Sequence, residues 1–373
     1  MAALRLASVW VRITAVVCVV SGFSREGRAE PEVRILLEAG VSTVEVRGAS
    51  IQLAIDAEAP RAAPAGPVRL EAREERLRFS APLAGRTAER VVLTSAEPLE
   101  VRGTPYLGRI EVVGDADGLV VLNRLPVETY LLGIVGSEMP AAWPVEALKA
   151  QAVAARTYAL QRRLRRRAGG HAWDLTDSVI SQVYRGAESI RPSVIEAVRA
   201  TRGVVLTFGH EPAEALFHST CGGHTEPSER VFGGRLPYLE RRACRWCRES
   251  TKYRWSIELD REPVGRLLER AGLARGFRRL ERAGEEADVI VYDRRGRRAV
   301  DPERVRSAVG PARLYSTRFD VDTRGGALRL DGAGYGHRVG LCQWGARGMA
   351  AEGRTYRQIL GHYYDGAPLK RAY

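Results

Sequence analysis

Lysine is almost missing from this chain of 373 residues: Lys149, Lys252 and Lys370 are the only three. Arginine therefore carries nearly all of the positive charge, and 58 basic against 45 acidic residues leave a net charge of +13. Genome base composition explains such a bias as well as binding does, so it specifies no recognition code. Long apolar runs are also absent beyond the first thirty residues, which excludes a protein that crosses a membrane repeatedly by helices. No segment repeats at a solenoid period and none is of low complexity. The basic residues are not interleaved with aromatics in any recognition motif, so no nucleic-acid partner is expected.

What is present begins with a leader. Arg5 and Arg12 precede an apolar stretch at residues 13–20, and Gly27-Arg28-Ala29 has the small-x-small form of a cleavage site, so residues 1–29 read as a secretory signal peptide. A short uncleaved anchor is the competing reading, and membrane contact is expected only in that case. Cys18 lies inside the apolar stretch rather than after it, which argues against lipid attachment. Removal of the leader takes away four arginines and one acid, lowering the net charge by 3 to +10. A basic exported protein favours anionic partners, and cell-wall polymer is the best candidate.

Residues 30–113 contain VRILLEA, STVEVRG, IQLAIDA, PVRLEAR, RLRFSA and RVVLTSA, short alternating runs separated by turn residues. They predict a small β-rich N-terminal domain. From residue 114 the pattern mixes helix and strand and predicts an α+β domain to residue 373, with the charge-rich stretch 261–313 as a peripheral lobe. Its longest element is a helix over residues 144–168, opened by Pro144 and stopped by Gly169-Gly170. Val145, Leu148, Ala152, Ala155 and Ala159 give that helix a face of mostly small apolar residues. The preceding run, LNRLPVETYLLGIVG, is ambiguous between strand and helix and is read as breaking at Gly136, which puts Glu138 in a turn. Pattern alone also allows Glu138 to be a first-turn acidic residue of the long helix.

Two long motifs break that tie. SEMPAAWPVEALKAQAVAARTYAL at 137–160 and DGAGYGHRVGLCQWGARGMAAEGRTYRQILGHYYDG at 331–366 resemble the signatures of the SpoIID (stage II sporulation protein D) family, which includes the LytB amidase enhancers. DSVISQVYRG at 177–186 and LFHSTCGGHTEPSERVFGG at 216–234 look like family segments too, so the resemblance spans roughly residues 110–370. It implies a SpoIID-like catalytic domain that acts as a lytic transglycosylase on peptidoglycan glycan strands, or alternatively a noncatalytic enhancer of a cell-wall amidase. Arg338 departs from the family pattern, which has glycine there. Either the local turn differs or Arg338 points into the cleft toward an anionic muramyl group.

A lytic transglycosylase needs one carboxyl group. Glu138 is expected to protonate the leaving oxygen of the β-1,4 bond and then, ionised, to take the proton of the muramyl 6-hydroxyl as it closes a 1,6-anhydro ring. Met139 and Trp143 are expected to line it and favour its protonated form. Arg156, Gln182, Tyr184, His218, His337 and Gln343 lie in the matched motifs and can hydrogen-bond sugars or carboxylates, which makes them the expected substrate-binding set. For Arg156, about three turns into the long helix, contact requires the Glu138 turn to fold back.

Beyond the leader four cysteines remain. Cys221-Gly-Gly-His224 and Cys244-Arg-Trp-Cys247 form a C-x2-H and C-x2-C pair, the ligand set of a closed structural zinc site. Export favours the rival, a Cys244–Cys247 disulfide with Cys221 free. Cys342 is expected to be a small buried residue, and His218 to serve the cleft rather than the metal.

Overall fold

The computed structural model describes residues 29–373 except 81–82, 178–181, 283, 285–286 and 325. The expected leader lies outside the described residues apart from Ala29. No helix among the described residues is long and apolar enough to cross a membrane. The fold is α+β, in two compact units: one runs to Glu214 and is completed by Leu369–Tyr373, and the other is Ala215–Pro368.

In the first unit every strand read from the alternating runs is found, because alternation puts one face of each into the core. Thr43–Arg47, Gln52–Ile55, Arg76–Phe79 and Arg90–Thr94 each bury every second residue, and Val68–Arg73 does so at Val68 and Leu70. They belong to a seven-stranded and a six-stranded sheet. The expected boundary at residue 113 does not hold. It falls within Arg109–Asp115, which pairs antiparallel with Gly118–Pro126, and that strand in turn pairs with Glu32–Val41 in the same seven-stranded sheet. The β layer and the following helices therefore form one unit.

Those helices are α1 (Val127–Glu138), α2 (Val145–Ala168) and α3 (Pro192–Ala200). Ala152, Ala155 and Ala159 are fully buried on α2, and such small side chains let α1, α3 and the strand Val204–Phe208 pack closely against it. Gly136 does not break α1. A β-carbon there would lie 2.2 Å from the Ser189 carbonyl oxygen, and one at Gly133 would lie 2.4 Å from that of Gly186. The two glycines clear the helix surface for a crossing segment. The chain end returns as Leu369–Arg371, antiparallel to Val204–Phe208.

The second unit contains α4 (Ser228–Phe232), α5 (Arg261–Arg270), α6 (Pro302–Val309), α7 (Gln343–Ala351) and α8 (Tyr356–Tyr363). The stretch foreseen as a lobe is wider than 261–313. Its core also takes in Trp255, Leu314, Phe319, Val321, Leu328 and Leu330, so the lobe runs from the strand Trp255–Asp260 to the strand Ala327–Gly332. A parallel pairing of Phe217–His218 with Leu341–Cys342 joins two distant motifs.

Candidate active site and thiol centre

Glu138 is the last residue of α1, not part of a turn: the Met139 N–H closes the helix on the Val135 carbonyl at 3.0 Å. Its carboxylate Oε1 accepts the backbone N–H of Val183 at 2.9 Å, and the residue is half-buried. The segment around Val183 is pinned on both sides. Tyr130 donates to Gln182 Oε1 at 2.9 Å, and the Gln182 amide donates to the Ala155 carbonyl at 3.4 Å. Tyr184 donates to Asn123 Oδ1 at 2.6 Å, with its ring centroid 5.1 Å from that of Tyr130. Gln182 and Tyr184 are thus buried struts that place the Val183 amide against Glu138, and burial pushes the Tyr184 hydroxyl well above its ordinary pKa. Met139 is buried and Trp143 half-buried nearby in sequence.

Arg156 is not part of this arrangement. It is 0% exposed, and its Nη2 and Nε meet the two carboxylate oxygens of Glu128 at 2.6 and 2.9 Å. The Val204 and Val198 carbonyls accept from the same guanidinium. Glu128 also accepts the Gly203 N–H and the Tyr373 hydroxyl, at 2.9 and 2.6 Å. A guanidinium so enclosed offers no surface to a glycan. Glu128 escaped the sequence reading, although a single carboxylate inside an apolar run signals a buried cationic partner.

His218 and His337 come together in the second unit, ring centroids 5.6 Å apart. His218 holds the Val339 carbonyl through Nδ1 at 3.1 Å, and its buried Nε2 has no partner among the described residues. His337 donates from Nε2 to the Phe217 carbonyl at 2.8 Å and accepts the Val339 N–H on Nδ1. Burial, with the neighbouring imidazole next, drives the His218 pKa well below 6.5. Burial, aided by the Arg306 charge, holds His337 at about 4. Both rings are neutral in the fold at neutral pH. Since the unfolded chain takes up a proton near pH 6.5 and the native site does not until about 4, the stability tied to His337 is present above pH 6.5 and is lost as pH falls through that window. The melting temperature of His337→Gln should therefore fall less between these pH values than that of the parent, and parallel curves would contradict the assignment. Gln343 is buried at the start of α7.

The thiol centre differs from the expected ligand set by one residue. The sulfurs of Cys221, Cys244, Cys247 and Cys342 all lie within 4.8 Å of one another, and all four residues are buried. No disulfide joins them, and Cys221 and Cys247 approach to 3.5 Å. Around a tetrahedral zinc ion with bonds of about 2.3 Å, sulfurs stand about 3.8 Å apart, so the cluster has the size of such a site. Donors surround it: the N–H groups of Cys221 and Gly345 reach Cys342 Sγ at 3.3 Å, and the Tyr363 hydroxyl lies 3.2 Å from Cys244 Sγ.

His224 is not a member. Its Nε2 lies 2.6 Å from Arg241 Nη2, 3.0 Å from Arg338 Nη2 and 3.4 Å from Glu226 Oε1. Arg338 follows neither expectation, for it keeps a left-handed φ of 65° and turns inward, 2% exposed. Its guanidinium donates to the Cys221 carbonyl at 3.0 Å and pairs with Glu226 at 2.9 Å. Burial pushes the Glu226 carboxyl up, but the His224 hydrogen bond and the Arg338 and Arg230 charges outweigh it and hold it at about 2. Arg338→Gly relieves about 1 kcal/mol of backbone strain yet deprives the buried Glu226 carboxylate of its nearest cation, leaving it His224 and the more distant Arg230, so a net loss of about 2–4 kcal/mol is expected on denaturant unfolding. Unchanged stability would show that the pair contributes nothing.

The family model for SpoIID, Stage II sporulation protein, matches residues 115–208, which hold Glu138 and its struts. The chain is 31% identical to the stage II sporulation protein D of Bacillus subtilis, over 67% of this chain and 76% of that protein. It is also 31% identical to an uncharacterized protein of Brachyspira hyodysenteriae, over 79% of this chain and 80% of the other. An amidase enhancer of Bacillus subtilis is 26% identical, over 64% of this chain and 40% of its own length. The chain belongs to the stage II sporulation protein D family. That membership gives it a cell-wall-related role.

Proposed function

We propose that this protein is an exported peptidoglycan lytic transglycosylase that cleaves MurNAc-β-1,4-GlcNAc bonds with Glu138 as its single acid and base, acting at the periplasmic or wall side of the membrane. The observation that carries the reading is the carboxyl group at the end of α1, oriented by the Val183 N–H. As the last helical residue, Glu138 lies at the negative end of the helix dipole, which favours the neutral acid needed first. The Val183 amide favours the carboxylate needed between the two steps. In the first step the Glu138 proton passes to the glycosidic oxygen as its bond to the anomeric carbon breaks. In the second, the carboxylate takes the proton of the 6-hydroxyl while that oxygen bonds to the same carbon, leaving a 1,6-anhydro end and a regenerated acid. The 6-hydroxyl takes the place of the attacking water of a hydrolase.

Cys221, Cys244, Cys247 and Cys342 would hold a zinc ion, whose contribution is a structural cross-link with no position open to a reactant. Gln182 and Tyr184 act by placing the Val183 amide, whereas His218, which is buried, and His337, whose two ring nitrogens are both engaged by backbone groups, serve the packing of the second unit rather than a glycan. A second reading, a noncatalytic wall-binding enhancer of an N-acetylmuramoyl-L-alanine amidase, is favoured by the amidase-enhancer relative.

Mass spectrometry of peptidoglycan, intact and amidase-stripped, after incubation with the protein separates the two. Anhydro-ended fragments are expected, and Glu138→Gln should reduce them by about 10² to 10⁴. Absence of anhydro ends with the parent protein, together with faster amidase turnover in its presence, would establish the enhancer instead.

A further inference from the structure

The lobe between Trp255 and Gly332 carries a feature that a single carboxyl site elsewhere does not use. Three antiparallel strands, Arg279–Glu281, Val289–Asp293 and Gly296–Val300, form its outer sheet. Val289, Val291 and Asp293 face inward and are buried. Across the sheet Arg279 stands opposite Tyr292, and Tyr292 opposite Arg297, so the three side chains form one row on the outer face. Arg261 and Arg278 join this row around a recess of about 590 Å³.

The carboxylates near this recess are mostly spent. Asp293 is buried and accepts the backbone N–H groups of Arg275 and Arg295, each at 2.8 Å. Glu281 pairs with Arg279 and accepts the Tyr292 hydroxyl at 2.7 Å. Among the described residues Arg261, Arg278 and Arg297 have no carboxylate partner, and all three are exposed. Four guanidinium groups thus converge on one recess with a local excess of positive charge. Adjacent strands lie about 4.8 Å apart, so Arg279 and Arg297 flank Tyr292 at about 10 Å, a stride that fits successive anionic groups better than one. The planar guanidinium matches carboxylate and phosphate oxygens in pairs.

We propose that this recess is an accessory binding site for an acidic glycan, a polysaccharide strand held through its carboxylate or phosphate groups. Two other polyanionic partners fit less well. A lipid surface would call for exposed apolar side chains, and among the described residues the large exposed ones are Leu164, Phe208 and Phe232, none of them in this lobe. Single-stranded nucleic acid would call for open aromatic faces, whereas the Arg279 guanidinium sits 4.0 Å over the Tyr292 ring. The assignment does not depend on the role of Glu138.

The test is binding of fluorescent oligogalacturonate, which offers carboxylates, and of phosphomannan fragments, which offer phosphates, to the full chain, with neutral dextran and a DNA oligonucleotide alongside. Binding to at least one acidic glycan and not to dextran is expected, weakening as salt rises. Arg278→Gln with Arg297→Gln should weaken it about tenfold, as for two exposed charge-assisted contacts. Arg354→Gln with Arg357→Gln, which removes equal charge from exposed positions near α8, should leave it within about twofold. The preferred probe identifies the anionic group. No binding to either glycan, equal losses in the two double variants, or tighter binding of the oligonucleotide would each overturn the proposal.

Discussion

Glu128→Ala is expected to lower the unfolding free energy by about 3–5 kcal/mol, the range for removing one partner of a buried ion pair. The reason lies in what is left behind: a fully buried Arg156 guanidinium without its counter-charge, and a Tyr373 hydroxyl and Gly203 amide without an acceptor. Arg156→Met should cost a similar amount by stranding the carboxylate. Combining Glu128→Leu with Arg156→Met should recover much of the loss, because well-packed apolar groups of similar volume avoid the desolvation penalty. Urea unfolding of the three variants checks this. A loss below about 1 kcal/mol for Glu128→Ala would mean that water reaches the pair after all.

Cys342→Ser is expected to abolish stoichiometric zinc binding, whereas His224→Ala should leave it intact. Four buried thiols this close cannot all ionise without a cation among them, and a structural zinc site contributes about 10–16 kcal/mol of apparent binding free energy in small domains. Metal analysis of the purified parent should find one zinc per chain, and chelation should lower the melting temperature of the parent more than that of Cys342→Ser. Zinc retained in Cys342→Ser and lost in His224→Ala would restore the ligand set expected from spacing.

Those two sites show what local sequence can and cannot convey. The boundaries of α2 are legible because Pro144 and Gly169 punctuate a periodic run, and the early strands because their alternation has a single physical cause. Glu138 is legible through its motif, but its place on α1 is not. Gly136 reads as a breaker when only neighbours along the chain are considered; its cause is the Ser189 carbonyl, which packs against the helix from another segment. Cys342 is invisible to spacing rules for the same reason. It reaches Cys221 through the pairing of Leu341–Cys342 with Phe217–His218, a contact between distant stretches. Arg156 lies in a matched motif, and nothing local separates a cation that binds substrate from one that neutralises a buried acid.

The lobe has a consequence for how the chain can change. Trp255 and Gly332 are cross-strand partners, and Asp260 and Ala327 close the same ladder, so everything between enters and leaves through adjacent positions. The flanking stretches lead back to Cys247 and Cys342, whose sulfurs lie side by side. A segment hung in this way is a cassette. Because its ends already meet, lengthening it carries only a slowly growing entropic penalty. Polymer preference can then diversify in one part of the chain while the scaffold that holds the cysteines stays constant.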